Sequence, residues 1–356
     1  MRMQVGILGI FQNYLGRDGD EAMIRDEMRL AERAEPLGYD SYWPPEHHFT
    51  DYSACPDNVQ FLSWLAARTQ RLRLGTGAVI VPWNDPLRVA EKIAFLDHLS
   101  GGRTILGLGR GLARIEYRHF GIEMAEARAR FDEAAPMIVS ALETGVIEGA
   151  GPFYPQARTP IRPRPLASFR DRLFCVGLSP DSVDAAARLG ARLMTLTQQP
   201  WEVYAAGTLA HYRESWRKHQ AGEPPIPLVG DLMLCDESAE RADALSREFI
   251  SNYFLTVTQH YELLSDHFAK TQGYQHYSSS AELFRQVGLE VAAEGYRGLH
   301  CWGTPRQILE KLEARKRLLG GFDLLVIPRY GGLPFEAAEQ SLRLFADEVL
   351  PELRSW

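Results

Sequence analysis

Residues 43–52 read WPPEHHFTDY and set Glu46, His47 and His48 side by side behind an apolar run. A carboxylate and two imidazoles can bind a metal, move protons, or sit in a solvated loop. The metal reading fares worst. Neighbours on an extended segment point in opposite directions, so His47 and His48 do not converge on one ion. Zinc proteases space their histidines at i and i+4 on a helix, and no other compact His/Asp/Glu cluster completes a shell in this sequence. Two readings stay open. One is a histidine at a pocket mouth, the residue type whose charge changes near neutral pH, available for proton transfer. The other is one packed histidine beside one exposed one.

A second segment, GLSPDSVDAAARLG, begins at Gly177 and Leu178 and enters a helix near Pro180. Free N–H groups and the positive dipole end make a helix N-terminus a natural anion site. Ser179 stands at the N-cap and Ser182 adds a hydroxyl, although an N-cap alone would place a serine there. In LGLGRGLAR, Arg110 lies between Gly109 and Gly111 after an apolar strand, where small neighbours let another molecule approach the backbone. Its guanidinium suits a phosphate. Arg128, in EARARF, is either a partner to it or a surface helix arginine.

The elements that must position these residues alternate. Strand-like runs are VGILGIF, DSYWP, RLRLGTGAVIV, RTILGLGRG, RLFCVGL, ARLMTL, PLVGDLMLC and FDLLVIP. Amphipathic helices fall between them, and a Pro-rich crossing occupies residues 152–165. Short apolar strands with intervening helices imply a parallel sheet covered by helices. Eight units in one undivided chain predict an α/β fold, a single (β/α)8 TIM-type barrel over residues 1–356. A helical insertion, about residues 238–300, is expected between strands seven and eight. An open doubly wound sheet is the alternative, and it lacks a GxGxxG after the first strand. In a barrel, chemistry belongs at the C-terminal strand ends, where EHHF, GTGAV, GRGLAR and GLSPDS all fall.

Bulk properties narrow the partners. A net charge of -7 argues against nucleic-acid or anionic-membrane binding. The arginines at 158, 162, 164, 170 and 172 are spread among prolines and read as a solvated connection. No apolar run is long enough to span a bilayer, and the short apolar stretch at the start, without a small-residue cleavage site, leads to the expectation that the protein is not exported. Cys55, Cys175, Cys235 and Cys301 are far apart and read as small buried hydrophobes in a reducing cytoplasm.

Taken in order, GYDSYWPPEHHF, LRLGTGAVIVPWNDPLRVAEKIAFLDHLSGGRTILGLGRG, FGIEMAEARARFDE, RPRPLASFRDRLFCVGLSPDSVDAAARLG and RYGGLPFEAAEQSLRLFADEVLP resemble the bacterial luciferase-like flavin-dependent monooxygenases. The resemblance covers nearly the whole chain. It implies a barrel that binds reduced FMN (FMNH2) from a separate NAD(P)H:flavin reductase. The flavin activates O2 as a C4a-(hydro)peroxide and oxygenates a small organic substrate such as an aldehyde, alkane or sulfonate. It implies His47 as the catalytic histidine, with Glu46 and His48 orienting the loop. Gly77 and Ala78 would support the isoalloxazine through a cis peptide. Arg110, Arg128, Ser179 and Ser182, with Gly177 and Leu178, would hold the phosphate end. Gly109 stands where light-emitting luciferase carries a reactive cysteine, which argues against thiol chemistry and against light emission. The aromatic-rich stretch from Tyr253 to Tyr277 is expected to cover the pocket or to pack as a helical excursion. A homodimer is the family expectation. The alternatives are a deazaflavin (F420)-dependent hydride-transfer oxidoreductase and a non-catalytic flavin-binding relative.

Overall fold

The computed structural model describes residues 2–196, 198–278, 284 and 286–356. Eight parallel strands close on themselves: β1 (Val5–Leu8), β2 (Ser41–Trp43), β3 (Arg73–Gly75), β4 (Thr104–Gly109), β5 (Leu173–Val176), β6 (Arg192–Thr195), β7 (Leu228–Cys235) and β8 (Asp323–Ile327). Pairing of Val5 with Leu324 and of Ile7 with Val326 joins β1 to β8 and shuts the barrel. All eight are the runs read from the sequence. They are almost wholly buried because helices cover the sheet outside and side chains fill it within.

Trp43 shows how the interior is filled. It is 1% exposed, meets Phe174 edge-on at 5.2 Å and donates its indole N–H to Ser41 Oγ at 2.8 Å. Burying it contributes roughly 2–3 kcal/mol. The ring fits because Gly75 stands beside it on β3, where a Cβ would lie 2.3 Å from the indole.

Other elements modify this plan. The antiparallel pair Val146–Gly149 and Gln156–Pro160 replaces part of the expected Pro-rich crossing. The arginine-rich connection needs one correction. Arg172 is buried, with Nη1 2.5 Å from Asp97 Oδ1 and further bonds to the carbonyls of Gly102, Thr104 and Ala167. A buried guanidinium is tolerated only with such partners. The four cysteines are buried and free, and burial pushes the Cys175 thiol up to about 12. No helix among the described residues is long and apolar enough to cross a membrane.

Between β7 and β8 lie helices Ala239–His260, His267–Lys270 and Leu289–Gly298, then a short strand, Cys301–Gly303, beside β7. The barrel helix Pro305–Leu319 follows, entered through a Thr304–Gln307 capping box. Asp231, inside β7, ties this region down. It accepts from Cys301 N at 2.9 Å, lies 2.8 Å from His300 Nδ1 and pairs with Arg315. Burial alone would raise the Asp231 carboxyl, but Arg315 and His300 outweigh it and hold it well below the usual range.

Glu27, on helix Asp20–Ala34, is the opposite case. Burial raises its carboxyl to about 7, because Arg329 (3.9 Å away) and Tyr42 compensate only in part and Asp26 adds to the rise. A carboxyl raised on folding favours the folded state while protonated. Its stabilisation is full below the ordinary value of 4.5 and is lost as pH rises towards 7. The loss is on the order of 3 kcal/mol. Glu27→Gln should flatten the decline in urea midpoint across this window and make the variant the more stable form at pH 8. An unchanged decline in the variant would remove Glu27 as its cause.

Candidate active site

The chain leaves β2 at Trp43 and crosses the C-terminal mouth of the barrel as Pro44–Phe49. Alternation along this extended stretch separates its three polar residues. Glu46 turns towards the loop after β3, where its carboxylate accepts from Ile80 N at 3.0 Å, Trp83 Nε1 at 2.6 Å and Asn84 Nδ2 at 2.8 Å. It is a brace between two loops. His48 faces a smaller cavity beside Trp83 and Phe120, with Nε2 3.5 Å from Glu46 Oε1. His47 faces the main cavity.

A residue missed in the sequence reading fixes His47. Glu116, on the short helix Arg114–His119 after β4, is 1% exposed. Its Oε1 lies 2.9 Å from His47 Nδ1 and also accepts from His48 N at 2.9 Å. The other ring nitrogen of His47, Nε2, lies 3.4 Å from the Tyr261 hydroxyl, and Tyr52 meets the ring edge-on at 5.2 Å. Only its position six residues beyond Arg110, on the same post-strand loop, marked Glu116 out in advance.

His260 completes a grouping that spacing along the chain concealed. One donor atom each from His47, Glu116 and His260 lie within 4.8 Å of one another. The expectation that no compact His/Glu cluster exists is corrected here, since folding brings together residues more than 200 positions apart. The 2.9 Å bond between His47 and Glu116 already engages two of these donors. Burial, then the neighbouring His47, hold the His260 ring well below the usual histidine range.

Glu46, His47, Gly77, Ala78, Gly109, Arg110, Leu178 and Ser182 all line the main cavity. The Gly77–Ala78 peptide is cis, and Asn58 Nδ2 donates to the Ala78 carbonyl at 3.0 Å. At Gly109 a Cβ would lie 3.0 Å from Ile80 Cδ1, so the position has little room for a side chain. Arg110 is buried, stacks 3.9 Å over Tyr274 and donates to the Gly273 carbonyl at 2.8 Å.

Arg128 and Ser179 reach the cavity through Ser182. Arg128 Nη2 donates to Ser182 Oγ at 2.7 Å, and Ser179 Oγ donates to the same oxygen at 3.0 Å. Ser179 occupies the N-cap of helix Pro180–Arg188, but its hydroxyl does not cap the helix. Among the described residues, Arg128 Nε is buried without a partner. Gly177 packs against the start of this helix, where a Cβ would come within 3.3 Å of Val183 N. Tyr52, Tyr253, Tyr261, Tyr277 and Tyr296 form much of the remaining wall, so the aromatic stretch does border the cavity. Trp302 is absent from this lining. It packs under Arg297 and Lys311.

The family model for luciferase-like monooxygenases matches residues 3–321. The chain belongs to this luciferase-like monooxygenase family. Among its relatives, the uncharacterized protein y4wF of Sinorhizobium fredii is 37% identical over 188 residues, 52% of this chain and 54% of that one. The oxygenase component of the flavin-dependent trigonelline monooxygenase of Acinetobacter baylyi is 26% identical over 93% of this chain and 90% of that one. The crystal structure of monooxygenase RslO1 from Streptomyces bottropensis superposes with a TM-score of 0.75 at 28% identity, covering 98% of this chain and 99% of that one. At 18% identity the fold alone is shared with two others. One is the FMN-bound oxygenating constituent of 3,6-diketocamphane monooxygenase from Pseudomonas putida (TM-score 0.72, 99% of both chains). The other is the coenzyme F420 dependent tetrahydromethanopterin reductase of Methanopyrus kandleri (TM-score 0.69, 99% of this chain and 100% of that one). Relatives named as monooxygenases support an oxygen-incorporating oxidoreductase that depends on a flavin.

Glu116→Gln keeps the shape of the side chain and removes its charge. It should lower stability by roughly 1–3 kcal/mol and shift the His47 imidazole nitrogen resonances. A spectrum of His47 identical to wild type would contradict the anchoring role.

Proposed function

We propose that the protein is an FMNH2-dependent monooxygenase acting on a small organic substrate, with residues 1–356 working as one barrel unit. The observation that carries this reading is the lining of a single cavity, which contains both a carboxylate-anchored histidine and an arginine- and serine-lined anion pocket at a helix N-terminus.

The residues present fit FMN. Arg110, Arg128, Ser179 and Ser182 would hold the phosphate. Arg128 Nε, buried without a partner among the described residues, supplies a free donor, and the positive end of helix Pro180–Arg188 favours an anion beside it. Leu8, Ile10, Ala78, Ile80, Val176 and Met194 offer apolar surface to a flat ring system. When bound, reduced flavin supplies two electrons to O2, so that one oxygen atom enters the substrate and the other becomes water. His47 holds or moves the proton at its ring nitrogen, oriented by Glu116. Glu46 keeps the loop carrying His47 against the loop after β3. The tyrosine wall excludes water from the reacting groups.

A relative named as an oxygenase component supports a separate NAD(P)H:flavin reductase as the source of FMNH2. The reading also takes the protein as a cytoplasmic homodimer, on the family resemblance and its unpaired cysteines. An aldehyde, an alkane or a sulfonate is the substrate class to try first.

Arg110→Ala should weaken FMN about 10-fold or more, in keeping with loss of a charge-assisted bond, and leave riboflavin nearly unaffected. Equal losses for the two ligands would contradict the phosphate role. His47→Ala should bind FMNH2 as wild type does and fail to place labelled oxygen from 18O2 in the product. Unchanged incorporation would remove His47 from the mechanism.

A further inference from the structure

Behind His47, outside the lining of the main cavity, stands a second histidine. His260 ends the helix Ala239–His260 and is 8% exposed. Its ring stacks on Tyr52 at 4.3 Å and meets His47 edge-on at 5.2 Å, so one tyrosine holds both imidazoles. His260 Nδ1 lies 3.1 Å from Thr50 Oγ1, whereas its Nε2 is buried with no partner among the described residues.

The two histidines border different spaces. His47 lines the main cavity, whereas His260 and Thr50 line a separate outer crevice together with Arg114, Arg118 and Glu262. The pair therefore stands as a partition. Donor atoms of His47, Glu116 and His260 approach within 4.8 Å, a gap that one water spans. Once a cofactor and a substrate fill the main cavity, His47 has no wide path to solvent on its own side.

We propose that His260 is a relay that carries protons between His47 and solvent in the outer crevice by way of Thr50. This rests on the reading of His47 as the proton-handling group. A proton leaving His47 is taken up at the free nitrogen of His260 while the Nδ1 proton passes to the Thr50 hydroxyl and on to water. No electrons move, and no net charge remains on the ring. The reverse transfer, when His47 is recharged, restores the starting tautomer. A ring kept neutral by burial is suited to this, since it offers one acceptor and one donor at once. The same three residues are also donors for a divalent cation, but the bond between His47 and Glu116 engages two of them, and Arg114 and Arg118 line the approach.

The test uses protein saturated with oxidised FMN, so that the main cavity is filled. Exchange of the His47 ring proton with solvent is followed by 15N-edited NMR. His260→Gln and His260→Ala should slow this exchange about 10-fold or more, and Thr50→Val less, consistent with loss of one proton-transfer partner. Added imidazole should restore the rate in His260→Ala but not in His260→Gln, where the space is filled. Unfolding curves matching wild type establish that the variants are folded. Exchange as fast as wild type in both His260 variants would overturn the relay, as would a slowed rate that imidazole fails to rescue. The His47→Ala oxygen-incorporation result is independent of this, so failure of the relay and failure of the underlying reading are separable.

Discussion

A single carboxylate oxygen holds the site together. Glu116 Oε1 lies 2.9 Å from both His47 Nδ1 and the backbone nitrogen of His48, and so fastens the loop after β2 to the loop after β4. Each hydrogen bond to a charged acceptor contributes about 1.5–3 kcal/mol. Ordering one backbone residue costs roughly 1–2 kcal/mol. Two such bonds are therefore enough to hold the two histidines in one conformation, with one imidazole turned into the main cavity and the other out of it. Glu46 makes the matching fastening to the loop after β3. Three successive loops on the C-terminal face are thus locked by two buried carboxylates.

The other end of the cavity follows a different rule. There a donor is left unused: among the described residues, Arg128 Nε is buried without a partner. Such a group is costly unless a ligand completes it. The histidine end is pre-organised by internal bonds, whereas the anion end is organised for something to arrive. This contrast, more than any one residue, separates a reacting end from a holding end.

Local pattern determined which parts were legible in advance. The eight barrel strands could be read because each is a short apolar run bounded by turn residues, and their order made the C-terminal face evident. The opposite orientations of His47 and His48 followed from strand alternation. The hairpin at Val146–Gly149 and Gln156–Pro160 was not legible, since its two short strands bury only Ile147 and show no apolar alternation. Arg172 was misread because its partner, Asp97, lies 75 positions away. Glu116 and His260 were missed as site residues for the same reason. A lone glutamate in a short helix and a histidine at a helix end acquire meaning only when the barrel brings their loops together.

The most direct test of the central claim is an anaerobic titration followed by oxygen mixing. The protein is titrated with FMNH2 and, separately, with reduced F420, and the FMNH2-loaded protein is then mixed with oxygenated buffer while the flavin spectrum is recorded. The account predicts stoichiometric binding of FMNH2, no saturable binding of reduced F420, and reoxidation by O2 with kinetics distinct from those of free FMNH2. Failure to bind FMNH2, or preferential binding of reduced F420 with no reaction with oxygen, would contradict it.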